Sequence, residues 1–130
     1  MSEEVIILGK IIITPLLKAQ KTLEEALIEA KSDLERDGAI QRFEYTYELI
    51  WKVLKKILSF KGIDVNSPRD VFREAAKQDI IEDPKIWFEF IKKRNLTVHT
   101  YNEDDAEEIF GCLPSFRDEL AKVIEKIKKL

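Results

Sequence analysis

Residues 37–58 read DGAIQRFEYTYELIWKVLKKIL. Within them Ile40, Phe43, Tyr47, Ile50, Leu54 and Ile57 alternate steps of three and four, the spacing that gathers apolar side chains on one stripe of an α-helix. Trp51 and Leu58 widen that stripe. Upstream, Ser32 and Glu35 form a capping box, so the helix opens there; downstream, Gly62 supplies a stop after about Phe60. A long helix with a bundle seam needs neighbours with matching apolar faces.

The flanking sequence provides them. Thr14 followed by Pro15 makes an N-cap and first-turn pair, and Leu16, Leu23, Leu27 and Ala30 predict a helix from about 15 to 31. Asn66, Ser67 and Pro68 start a short helix that carries Val71, Phe72, Ala75 and Ala76 and ends near Lys77. Asp83 and Pro84 open another. After Tyr101, Ile109, Leu113, Phe116, Leu120, Val123, Ile127 and Leu130 repeat in steps of four and three, with Gly111 and Pro114 marking a kink or brief break. Nothing reads as a required β-strand. The fold class expected is all-α: an antiparallel up-and-down four-helix bundle with an extra short helix. Trp51, Trp87 and Phe88 add apolar surface beyond what one small bundle must bury, which predicts a homodimer.

Residues 1–14 contain VIILGKIII, too short and too interrupted to span a membrane, and the acidic start at Glu3 and Glu4 is wrong for a secretory signal. They are expected to form an N-terminal extension packed on the domain or on a partner chain, with 15–130 as the bundle domain. At 130 residues, 45% hydrophobic and 36% charged, the chain has the size and balance of one globular domain. A single cysteine, Cys112, excludes an internal disulfide, reads as a small core residue and makes a reducing, cytoplasmic setting the default. With a net charge of -3 there is no global nucleic-acid footprint. Contact with RNA must come from a local patch or from two chains together.

The chemistry is expected in 84–101, PKIWFEFIKKRNLTVHTY. At about 100° per residue, Ile86, Trp87, Phe90, Ile91 and Val98 share an apolar stripe, and Arg94 lies in its middle. A core-facing arginine needs a reason. Asn95 sits at the stripe's edge, and His99, the sole histidine, follows five residues after Arg94; the two converge only where the helix loosens or ends near Val98.

The phrases at 37–58, NSPRDVFREA and RNLTVHTYNEDDAEEI together resemble the nucleotidyltransferase substrate-binding protein family, part of the HEPN superfamily and close to its HepT toxins. The likeness runs continuously from about Asp37 to Ile109. It implies a helical homodimer with a minimal nucleotidyltransferase of the polymerase-β type (MNT) as partner, in a toxin–antitoxin-like pair. In many relatives an R-x4-H motif belongs to a metal-independent ribonuclease, and R-x4-H-x-Y marks those whose tyrosine receives nucleotide from the partner. Here the motif is Arg94, His99 and Tyr101, intact, with no metal or cofactor implied. The VIILGKIII extension is not part of the family pattern.

Such cleavage needs a base for the 2′-hydroxyl proton, an acid for the leaving 5′-oxygen and positive charge on the phosphate. His99 suits either proton role, Arg94 offers a planar fork for phosphate oxygens, and Asn95 can hold the imidazole tautomer or bind phosphate. Lys92 and Lys93 raise the local potential. One chain has one histidine, so two copies must share a groove for base and acid to come from different chains. The plainer alternatives are a structural Arg94 paired with Glu44 or Glu48, a His99 that caps a helix end, and a packing Tyr101. The acidic run at Glu103, Asp104, Asp105, Glu107 and Glu108 reads as a helix start, not as metal ligands. A non-catalytic subunit that presents substrate to the transferase is the competing functional class.

Overall fold

The computed structural model describes residues 3–98 and 102–130. Five helices carry the fold: α1 (Thr14–Glu29), α2 (Asp33–Phe60), α3 (Pro68–Lys77), α4 (Pro84–Leu96) and α5 (Glu103–Lys128). Helix α2 is the spine of an all-α bundle, packed on α1, α3 and α5, while α4 lies against α3 and α5. Every seam residue from Ile40 to Ile57 is buried.

The helix ends follow local chemistry. Ser32 Oγ accepts from the Glu35 amide at 3.1 Å, and the Glu35 carboxylate accepts from the Lys31 amide at 3.1 Å. At the far end of α2, Gly62 takes a φ of +85°, and the amides of Gly62 and Ile63 donate to the carbonyls of Ser59 and Leu58, a Schellman closure. Ser67, Asp83 and Asn102 cap α3, α4 and α5.

Three local expectations change. Residues 5–13 form a small antiparallel hairpin, β1 (Ile6–Ile7) and β2 (Ile11–Ile12), where no strand was expected. Each strand is only two residues long, too short for an alternating pattern to stand out. Leu8 and Gly9, at φ of 51° and 72°, make the reversal. Ile7, Ile11 and Ile13 are buried, so the hairpin packs onto the helices. Second, Thr14 does not cap α1: its Oγ1 accepts from the Val5 amide at 2.7 Å and ties the hairpin to the helix, while Ile13 holds the N-cap position. Third, α5 runs unbroken through Gly111 and Pro114. Pro114 is exposed, so the carbonyl its ring leaves unpaired lies on the solvent side of the helix.

The core is aromatic. Phe72 stacks on Trp87 at 4.9 Å, and Trp87, Phe90 and Phe116 meet edge to face at 5.2–5.9 Å. Phe43 closes the set from α2, at 4.9 Å from Phe116. Trp87 is therefore spent inside one chain, and Phe88 is covered by the guanidinium groups of Arg69 and Arg73. Of the surplus that predicted a homodimer, Trp51 and Phe88 stay half-buried at the surface, Phe88 under its two arginines.

Candidate functional site

Helix α4 ends at Leu96, and its last turn presents Arg94 and Asn95 to a cleft of about 300 Å³. The opposite wall comes from Tyr47 and Glu48 on α2, and the rim from Ser67, Pro68 and Arg69 at the start of α3. The N-terminus of α3 thus brings the positive end of a helix dipole and the Arg69 side chain to the same hollow.

Arg94 is 22% exposed, consistent with its place among apolar neighbours. Its Nη2 lies 3.7 Å from Glu48 Oε1, a long ion pair, and its Nε is buried with no hydrogen-bond partner among the described residues. Buried donors are normally paired, and among the described residues this one is not; the rest of the half-buried guanidinium has only the long Glu48 contact. The Arg94 carbonyl closes the helix, accepting from Thr97 Oγ1 at 2.7 Å.

Glu48 is a junction. Its Oε2 accepts from Trp51 Nε1 at 3.1 Å and lies 3.6 Å from Lys52 Nζ, while Oε1 faces Arg94. The pairing of Arg94 with Glu48, one of the plainer alternatives, is present but does not use up the guanidinium. Tyr47 is 3% exposed, and its phenol is pushed up to about 12, mainly by burial and then by the Glu48 charge, with Arg94 opposing. At neutral pH it is a protonated hydrogen-bond donor beside Arg94.

The other expected residues divide. Asn95 lines the same cleft and is exposed. Lys93 leans toward α5 and pairs with Glu108 at 3.6 Å; Lys92 pairs with Glu89 at 3.3 Å. Val98 is 61% exposed, so it does not extend the apolar stripe: the helix has already ended. His99 and Tyr101 lie outside the described residues. Of the acidic run, Glu103, Asp104 and Asp105 occupy the first turn of α5, and Glu103 and Glu107 bind the buried Arg36 of α2. That guanidinium holds the Glu103 carboxyl below its ordinary range. Among the described residues no three His, Cys, Asp or Glu side chains gather in a metal-holding group. Cys112 is half-buried and its thiol is pushed up to about 11, chiefly by burial, so it stays protonated at neutral pH.

Sequence reasoning missed Tyr47, Ser67 and Arg69 as cleft residues. Tyr47 reads as one more seam position, and the only signal for Arg69 is its place just after the Ser67–Pro68 helix start.

Comparisons with known proteins converge on one group. The family model for nucleotidyltransferase substrate binding protein like sequences matches residues 13–129. A probable ribonuclease HepT from Haemophilus influenzae is 31% identical over 97 residues, a match covering 71% of this chain and 66% of that relative's length. A Thermus thermophilus protein of known crystal structure superposes with a TM-score of 0.80 at 39% identity, covering 86% of this chain and 98% of the other. A Haemophilus influenzae structure, reported as revealing the fold of a substrate binding domain of a nucleotidyltransferase, superposes with a TM-score of 0.77 at 27% identity, over 87% and 96% of the two chains.

Proposed function

We propose, from the premise that this chain belongs to the nucleotidyltransferase substrate binding protein like family, that it is the cytoplasmic partner subunit of an MNT-type minimal nucleotidyltransferase and a metal-independent endoribonuclease that acts as a homodimer. The observation that carries the reading is Arg94: a guanidinium in a cleft, loosely paired at 3.7 Å, with a buried Nε unsatisfied among the described residues. An incoming phosphate meets the exposed part of the guanidinium in the cleft, with Asn95, Arg69 and the α3 N-terminus beside it. The Haemophilus influenzae relative, a probable ribonuclease, supports the same direction.

In this reading His99 of one copy takes the proton of a 2′-hydroxyl, whose oxygen attacks the adjacent phosphorus. The bond to the 5′-oxygen breaks, and His99 of the second copy returns a proton to it. A cyclic phosphate and a free 5′-hydroxyl result. Arg94 neutralises charge on the phosphate oxygens as the transition state forms. Purified protein is expected to cleave single-stranded RNA in EDTA, and His99→Ala to abolish cleavage; equal cleavage by the variant sinks the proposal.

The second reading is a non-catalytic subunit that presents substrate or nucleotide to the transferase, favoured by the family's description as nucleotidyltransferase substrate binding protein like. Stable copurification with the transferase and intact RNA under all conditions selects it. In either reading Tyr101 is the proposed acceptor: its hydroxyl attacks the α-phosphorus of ATP on the transferase, and pyrophosphate leaves. An unchanged intact mass after incubation with both rules that step out.

A further inference from the structure

Away from Arg94, three hollows of about 440, 340 and 540 Å³ share Ile12 of the hairpin and join into one trough along α1 and α2. Its floor is apolar: Ile12, Pro15 and Leu49, with Phe60 at one end and Tyr45 at the other. Ile12, Tyr45 and Phe60 are each about half exposed, at 45%, 56% and 48%.

The charge around this floor is lopsided. Lys10, Lys18, Arg42, Lys55 and Lys56 line it and form no ion pair among the described residues, while Glu4 is the one carboxylate of the lining. On a chain whose net charge is -3, five such cations beside exposed apolar surface form a local positive patch that a partner's carboxylates can meet. The middle of the floor suits an apolar side chain better than a base: Ile12, Pro15 and Leu49 offer no ring to stack on, Lys10 Nζ sits over the Phe60 ring at 5.9 Å, and the rings of the trough, Tyr45 at one end and the half-buried Trp51 with its indole N–H on Glu48, stand apart from that apolar centre.

We propose that this trough docks a protein segment whose apolar side chains are flanked by carboxylates, carried by the nucleotidyltransferase partner. The inference rests on the partnership proposed above and adds its surface and chemistry. Apolar anchors fill the Ile12 and Leu49 floor, and carboxylates meet the lysine rim, steering association and fixing register. One wall is the hairpin, whose residues 6–12 precede the family match at 13–129, so the wall can single out this chain's own partner from those of its relatives.

The test measures binding of the full chain to the minimal nucleotidyltransferase proposed as its partner, at low and high salt. Lys55→Glu with Lys56→Glu is one variant and Lys10→Glu with Lys18→Glu the second, each checked for native helix content. Both should weaken association about tenfold or more and flatten its salt dependence. Unchanged affinity in both variants overturns the docking site and leaves the partnership standing. No association by the wild-type chain overturns both. A change confined to the chain's own oligomeric mass gives the trough to a second copy, and a loss confined to RNA retention gives it to RNA; either outcome overturns the proposal.

Discussion

Arg94 is the residue on which the functional reading turns, because its charge and shape are separable. Lysine keeps the positive charge but presents a point donor where the guanidinium offers a planar fork. Arg94→Lys is therefore expected to lower RNA cleavage about a hundredfold while leaving the helical circular dichroism unchanged; retention of wild-type cleavage would show that charge alone suffices. A lone arginine in an apolar stripe stands out because helical periodicity is a local property, visible within a dozen positions. Its setting does not: Tyr47 and Glu48 are nearly fifty positions away and Arg69 about twenty-five, and no local pattern says which α2 side chain faces the end of α4. Glu48 was one of two carboxylates open to Arg94, and only the packing of α2 against α4 separates it from Glu44.

Among the elements, the five helices follow from spacing and caps, since each start carries its own Ser, Asp or Asn, or a proline in the first turn. The hairpin escaped because its information is tertiary: a threonine that looks like a helix cap instead holds the Val5 amide across nine positions. The join between α2 and α5 is also tertiary, made where Arg36 is held by Glu103 and Glu107. The Glu103 carboxyl has a folded-state pKa depressed below its ordinary 4.5, so its contribution is full above that pH and disappears as the pH falls through the folded value. Glu103→Gln should accordingly melt below wild type at pH 7, and the gap in Tm should close as the pH drops below about 4.5. A gap that stays constant down to acid denaturation would mean the ionised carboxylate adds nothing to the join.

For the whole molecule, stability is concentrated where Phe43, Phe72, Trp87, Phe90 and Phe116 interlock, because this cluster joins α2, α3, α4 and α5 at one point. Phe116 touches three of the other rings and is fully buried. Phe116→Ala should cost about 3–5 kcal/mol in urea unfolding, and a loss under 1 kcal/mol would mean the neighbouring rings collapse into the space. The two tryptophans stand in opposite surroundings, Trp87 sealed in this cluster and Trp51 at the surface with its indole N–H on Glu48. Since Trp51 also lines the trough beside the hairpin, and Glu48 reaches Arg94, one indole resonance borders both places at once. Nature has left a probe in the wiring: an isotope-labelled spectrum can watch the two neighbourhoods together, with the sealed ring as its internal standard.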